Sequence, residues 1–282
     1  MQDKRFFCVR GFMKSGTNWL GSLLGSHEQI SCVGEFHWED IVARFNSNMA
    51  ELPLFQNEEY RERVRVHFED MIKRCLVDAA EPGATLIGDR TPHTIVPVTL
   101  RNVPYITIVR DGRDVLVSRA FHLYNETGVH RLFQRIPEMA ETHKAFQADP
   151  WFFQKHPEKL LCHETMVRES MGWWRDHIRS DLEAIERYPK LKVRIVRYED
   201  LHEDTDAERE KLFQFLDVDP TRAAKIKGSL KPGFKKERPT EFLRKGAIGD
   251  WKNYFTDDTK LWFKEEAGEA LIQQGYADSM DW

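Results

Sequence analysis

A single lysine, Lys14, stands inside a loop bounded by Gly11 and Gly16, between an apolar run, RFFCVR, and a helical pattern, TNWLGSLLGSH. A strand, a Gly-bounded turn and a helix N-terminus together hold phosphate well. The N–H groups of the turn and the positive end of the helix dipole both face the anion. The spacing of Gly11 and Gly16 is that of the nucleotide-binding pattern GxxxxGK[ST]. The pattern then breaks, because Thr17 and Asn18 stand where Lys and then Ser or Thr belong, and no hydroxyl is placed to hold Mg²⁺. Anion binding survives this change, whereas the metal-assisted chemistry of a triphosphate does not.

Two further stretches carry cations at positions suited to an anion. In YITIVRDGRDVLVSR a strand ends at Arg110 and the following helix carries Ser118. An arginine at a strand end can bind phosphate bidentately, and the serine hydroxyl adds a donor. The same run also reads as an ordinary charged turn opening a helix. The segment LKPGFKKERPTEFLRKGAIGDWKNYFT is basic and broken by Gly and Pro in an otherwise acidic chain. Its cations Lys231, Lys235, Lys236, Arg238, Arg244 and Lys245 are either solvated or line a second anion site, where Gly246 lets backbone approach the ligand.

The elements that must position these residues alternate. Strand-like runs RFFCVR, QISCVGE, ATLIGDR, PYITIVR and KLKVRIVRYED are separated by helical patterns in TNWLGSLLGSH, EEYRERVRVHFEDMIKRCLVDAA, DGRDVLVSRAFHLYNE and PEKLLCHETMVRESMGWWRDHIRSDLEAIERY. No repeat, low-complexity tract or Gly/Ser linker interrupts them. The pattern predicts an α/β fold: one domain over residues 1–282, a mostly parallel central sheet flanked by helices, and a P-loop-like nucleotide-binding core. Ligands of such sheets bind beyond the carboxyl ends of the strands, which points to Lys14, Glu35, the segment from Arg90 to His93, Arg110 and Tyr198.

At 282 residues, 41% hydrophobic and 31% charged, the chain can bury a full core. A net charge of −4 and a pI near 6.3 argue against a dedicated nucleic-acid or anionic-membrane binder. Cys8, Cys32, Cys75 and Cys162 are widely spaced without CxxC, so neither a disulfide framework nor a zinc site is expected. With the first strand opening near Arg5 and no apolar run approaching the roughly 18 residues of a membrane span, a cytoplasmic location is expected. The 11 histidines show neither HxxxH nor HExxH, so no catalytic metal is expected.

Taken together, the three cation-bearing stretches resemble the sulfotransferases that use 3′-phosphoadenosine 5′-phosphosulfate (PAPS). FMKSGTNWL looks like that family's 5′-phosphosulfate loop, IVRDGRDVLVS like its 3′-phosphate-binding strand and helix, and RKGAIGDWKNYFT like the C-terminal signature of its cytosolic branch. The resemblance implies that Lys14, Ser15, Gly16, Thr17 and Asn18 wrap the phosphosulfate and that Trp19 stacks on adenine. It implies further that Arg110 and Ser118 hold the 3′-phosphate from one side, and that Arg244, Lys245 and Gly246 close on it from the other. Tyr198, in RYEDL, falls at an adenine contact, and Ser229 near another. Trp19 also reads as a core residue of the first helix.

Transfer of a sulfuryl group moves less charge than transfer of a phosphoryl group, so fixed cations and backbone amides suffice without Mg²⁺. Lys14 would neutralise the bridging oxygen as the 3′,5′-adenosine bisphosphate (PAP) departs. Two residues compete as general base. His93, in GDRTPHTIVP, is similar to the histidine of the cytosolic branch's Lys-Thr-His-Leu-Pro segment, with one residue inserted. Glu35, in VGEFHWED, looks like the base of the heparan-type branch's Glu-x-His-Phe segment. The chain thus resembles a bacterial-type mixture of both branches. A histidine suits neutral pH, whereas a glutamate needs its pKa raised. His37 and Asp89 are supporting candidates, and Trp173 and Trp174 read as packing residues.

The expected activity is transfer of sulfate from PAPS to a hydroxyl, in preference to an amine, of a small-molecule acceptor such as a secondary metabolite or sugar. Natural-product tailoring lies within that range. The alternatives are a P-loop kinase or NTPase, and a non-enzymatic nucleotide- or RNA-binding module. The first is disfavoured by the missing GK[ST] and by Arg110 where an acidic ligand would stand.

Overall fold

A computed structural model of the chain describes residues 3–97, 99–126, 131–233, 237–241 and 244–282. The strands are β1 (Arg5–Gly11), β2 (Ile30–Gly34), β3 (Leu86–Arg90), β4 (Tyr105–Val109) and β5 (Val193–Arg197). They form one sheet in the order β2-β3-β1-β4-β5, every pairing parallel. The helices are α1 (Thr17–Leu24), α2 (Trp38–Met49), α3 (Glu58–Ala79), α4 (Gly112–Asn125), α5 (Arg131–Arg135), α6 (Pro137–Ala148), α7 (Phe152–Lys155), α8 (Glu164–Arg187), α9 (Tyr198–Glu203), α10 (Thr205–Phe215) and α11 (Asp257–Gln273). All five strands fall on the runs read as strands from the sequence.

By their contacts, the residues group into two compact units. One comprises residues 1–109 and 180–230, the other residues 110–179 and 231–282. The first unit holds the sheet. Alternate residues of each strand face opposite sides, so two cores form. Phe7, Val9, Leu86, Ile106, Ile108 and Val196 pack with Leu20, Leu23 and Leu24 of α1 and with Leu212 and Phe213 of α10. Cys8, Ile87 and Tyr105 pack with Val42 of α2 and with Ile72 and Leu76 of α3. Because both faces are covered, the strands read as near-continuous apolar runs. Asp181 of α8 ties the second face to the sheet, accepting from Ile95 N at 2.7 Å and Thr107 Oγ1 at 3.0 Å.

The second unit is helical. Phe121 of α4 lies edge-on to Phe153 and Tyr254, with ring centroids 5.5 Å apart in each pair, and Phe146 stacks on Phe153 at 5.0 Å. Trp174 is buried against Phe263 of α11, whereas Trp173 is half exposed under the Arg119 guanidinium. The helical pattern read over 157–188 divides into a short 3-10 turn, Pro157–Lys159, and α8 proper. Helices α2, α9, α10 and α11 were not among the sequence-predicted elements, and α9 opens on the YED that ends the run KLKVRIVRYED read as a strand. Among the described residues, no helix is long and apolar enough to cross a membrane.

Register places Phe7 of β1 directly opposite Gly88 of β3, and a Cβ at Gly88 would lie 2.3 Å from Cζ of the fully buried Phe7 ring. Gly88→Ala is therefore expected to displace that ring at a cost of about 1–3 kcal/mol. Urea unfolding checks this, and an unchanged midpoint would refute it.

Candidate active site

In the first unit the chain leaves β1 at Gly11, φ 152°, where a Cβ would sit 2.6 Å from the Ile108 carbonyl oxygen of β4. Glycine is needed for this approach. Lys14 adopts left-handed backbone, φ 70°, and Gly16, φ 104°, is the N-cap of α1 with no side chain capping the helix. Ser15 is 1% exposed, and its Oγ is buried without a hydrogen-bond partner. A buried hydroxyl left unpaired costs about 1–3 kcal/mol. Its place in a Gly-bounded loop at a helix N-terminus fits an anion oxygen as the missing partner.

Aromatic residues flank this loop. The Trp19 and Tyr198 rings meet edge-on at 5.4 Å, and His202 lies 5.9 Å from Tyr198. Trp19 Nε1 donates to the Leu230 carbonyl at 3.0 Å, beside Ser229 in the 3-10 turn Gly228–Leu230. A Cβ on Gly16 would come within 2.7 Å of Tyr198 Cδ2.

The two candidate bases lie at neighbouring strand ends. Arg90, the last residue of β3, donates through Nη1 to Asn18 Oδ1 and, at 2.9 Å, to Glu35 Oε1. One guanidinium thus links the helix that follows the Gly-bounded loop to Glu35. His93 Nδ1 donates to the Thr94 carbonyl, 3.1 Å away, and its Nε2 lies 3.7 Å from Asp40 Oδ1. His37 Nδ1 faces the other oxygen of Asp40 at 3.6 Å. The His93 carbonyl accepts from Gly11 N at 3.3 Å, which ties this segment to the start of the loop. Asp89 points to the opposite face of β3, fully buried, and its Oδ2 accepts from Arg10 at 2.7 Å. Burial pushes the Asp89 carboxyl up and Glu39 pushes it further, while Arg10 opposes both.

In the second unit Arg110 is 7% exposed and donates through Nη2 to the Ala247 carbonyl at 2.8 Å. Asp111 caps α4 and accepts from Arg113 N at 2.9 Å. The Arg113 guanidinium is sandwiched between Trp251 and Trp282, 4.2 Å and 4.7 Å from the ring centroids. Asp114, buried in α4, accepts from Gly249 N at 2.7 Å and Trp251 N at 2.9 Å. Burial raises its carboxyl above the usual range, with Arg110 and these amides working the other way. The segment from Arg244 to Asn253 is therefore bound to α4. Arg244 pairs with Glu237 and Asp250 and stacks 4.1 Å over Phe121; Lys245 Nζ lies 2.6 Å from Asp250 Oδ1. Gly246 and Gly249 turn the segment with φ of 62° and 74°. Ser118 is half-buried on α4.

Of the sequence-predicted residues, the first unit brings Lys14, Ser15, Gly16, Thr17, Asn18 and Trp19 into one loop and helix start, with Tyr198 packed beside them and Glu35 joined through Arg90. His93 reaches the same end of the sheet through Gly11. The second unit carries Arg110, Ser118, Arg244, Lys245 and Gly246. Lys235 and Lys236 lie outside the described residues. Sequence reasoning missed Arg10, Glu39, Asp40, Asp114, Glu237 and Asp250. The only available signal for Arg10 was a charged residue closing the apolar run RFFCVR just before Gly11, since a guanidinium buried there demands acceptors.

A family profile described as Sulfotransferase domain matches residues 5–274. Sulfotransferase 1C2 of Rattus norvegicus is 25% identical over 199 residues, covering 63% of this chain and only 58% of the rat protein. Sulfotransferase 1 family member D1 of Mus musculus is 25% identical over 273 residues, 88% of this chain and 77% of that protein. A mouse sulfotransferase, SULT7A1, in a crystal structure complexed with PAP, superposes over 95% of this chain and 84% of its own with a TM-score of 0.48 and 19% identity.

Two outcomes follow from the geometry. Gly16→Ala combines left-handed backbone with the clash against Tyr198, so it is expected to cost about 1–3 kcal/mol in thermal unfolding. For Asp250, burial alone would raise the carboxyl, but Arg244 and Lys245 hold it below its ordinary 3.8. A depressed folded pKa stabilises above the unfolded value and is lost as pH falls through the folded one. The stability gap between wild type and Asp250→Asn should thus be full at pH 7 and close below pH 3.8. A gap that stays constant down to acid pH would refute this assignment.

Proposed function

The chain belongs to the PAPS-dependent sulfotransferase family, and from that premise we propose that it transfers the sulfuryl group of PAPS to a hydroxyl of a small-molecule acceptor such as a secondary metabolite or sugar, an amine being the second choice. The observation that carries this reading is the loop after β1: a lysine, a left-handed turn and a buried, unpartnered Ser15 hydroxyl at the carboxyl end of the middle strand of a parallel sheet.

PAPS supplies an activated sulfuryl group. The loop amides, Ser15 and Thr17 hold its 5′ end, and the Lys14 ammonium neutralises the bridging oxygen as the sulfur–oxygen bond breaks. The acceptor oxygen attacks sulfur in line, opposite that leaving oxygen. Asn18, fixed by Arg90, keeps the start of α1 in register with Glu35. Arg110, Ser118 and the Arg244–Gly246 segment hold the 3′-phosphate. Because Arg244 and Lys245 already face Glu237 and Asp250, that segment holds its cations in place and adds little net charge of its own. Trp19 and Tyr198 offer ring surface to adenine.

Either Glu35 or His93 takes the acceptor proton. Glu35 is steadied by Arg90 and His93 stands beside Asp40, so each has the orienting partner that a general base needs.

Calorimetry with PAP in the presence of EDTA tests the donor site. Wild type should bind PAP in preference to ATP, and Arg110→Ala should weaken PAP by about 10- to 100-fold, the worth of a charged hydrogen bond or two. Lys14→Ala should lower turnover by about 10²- to 10³-fold. A preference for ATP with Mg²⁺ would return the loop to the kinase class. For the base, Glu35→Gln and His93→Asn are compared at equal PAP affinity: the variant of the true base loses about 10²-fold or more in turnover, and equal small losses in both would exclude them.

A further inference from the structure

Arg10 is unusual for a central strand: its side chain is fully buried, among the largest such side chains in the protein. Nη1 donates to the Val9 carbonyl at 2.9 Å and the Asp89 carbonyl at 2.8 Å; Nη2 donates to Asp89 Oδ2 at 2.7 Å and to Glu39 Oε1. Asp89 Oδ1 in turn accepts from Thr91 at 3.2 Å. Hydrophobic packing would fill this space at least as well, since a buried charge set does not by itself favour stability. What the set does is join three chain segments, each one residue from a residue of the site. Arg10 precedes Gly11, where the phosphate loop begins. Asp89 precedes Arg90, which bridges Asn18 and Glu35. Glu39, in the first turn of α2, precedes Asp40, which faces His37 and His93.

We propose that the Arg10–Glu39–Asp89 set is a positioning device for sulfuryl transfer: its guanidinium clamps the first turn of α2 to the exits of β1 and β3 and so fixes Glu35 and His93 relative to the phosphosulfate loop. This inference rests on the sulfotransferase reading. It makes reach, and not charge, the property that matters at Glu39. Glu39→Gln keeps an oxygen at the same distance from Arg10 Nη2 and leaves Arg10 paired with Asp89. Glu39→Asp keeps the charge but draws the carboxylate back by one methylene, pulling on α2.

The test compares wild type, Glu39→Gln and Glu39→Asp in three measurements: PAP affinity by calorimetry, single-turnover release of PAP from PAPS with 2-naphthol as probe acceptor, and amide hydrogen exchange. PAP affinity should stay within about twofold in both variants, since neither touches the donor. Glu39→Asp should lose about tenfold or more in turnover, as small misplacement of reacting groups does, while Glu39→Gln stays near wild type. Exchange over residues 36–43 should rise about tenfold in Glu39→Asp alone. Should 2-naphthol not react with wild type, the exchange pattern decides. Glu39→Asp matching wild type in exchange or turnover, or Glu39→Gln proving the more damaged, would overturn the proposal. So would a parallel fall in PAP affinity, which marks a general structural role. Failure of wild type itself to bind PAP would instead refute the sulfotransferase reading.

Discussion

The approach of Gly11 to the Ile108 carbonyl is the constraint on which the site depends. Because no side chain separates them, the last residue of β1 lies flush with β4, and the chain can turn at once into the loop and then α1. The loop consequently starts at the middle strand, with β3 on one side and β4 on the other. Every residue considered for chemistry in the first unit is placed by that geometry: Lys14 and Ser15 in the turn, Glu35 and His93 on the segments that leave β2 and β3, and Tyr198 immediately after β5. Parallel strand order does the gathering, since all five carboxyl ends point the same way.

Polar groups buried in the two units serve placement more than stability. Asp114 spends both carboxylate oxygens on the amides of Gly249 and Trp251, and Asp250 holds both Arg244 and Lys245. In each case a costly desolvation is accepted where a backbone segment must have one position. Cys8 and Cys32, by contrast, sit in the strands with thiols pushed up to about 12 by burial, which makes them packing residues and poor nucleophiles.

Much of this was legible in the sequence. Five apolar runs of strand length bounded by Gly, Asp or Arg gave the sheet, and the spacing of Gly11, Lys14 and Gly16 gave the loop, because both signals are local. What could not be read depends on contacts distant in the chain. Helix α2 carries a short apolar stripe, Trp38, Val42, Phe45 and Met49, but the buried Glu39 and the exposed Ile41 cut across it and mask the period. The partner of Arg10 in that helix lies 29 residues away, and the partner of Arg90 at Glu35 lies 55 residues away. Periodicity carries no information about such pairs. The same limit left Glu35 and His93 unresolved, since both are polar residues just past a strand and only their neighbours distinguish them. Arg244 and Lys245 were recognisable as a motif, but not the carboxylates of Glu237 and Asp250 that hold them.

The backbone of Lys14 has a further consequence. At φ 70° the position favours glycine or asparagine, and a lysine there costs about 1–2 kcal/mol. With the role proposed for Lys14, selection for folding and selection for catalysis pull this site in opposite directions. A campaign that ranked variants by thermal tolerance alone would drift toward glycine at position 14 and, on the function proposed for this lysine, would recover a sturdier protein that no longer turns over. The strain records what the fold gives up to keep an ammonium in the loop.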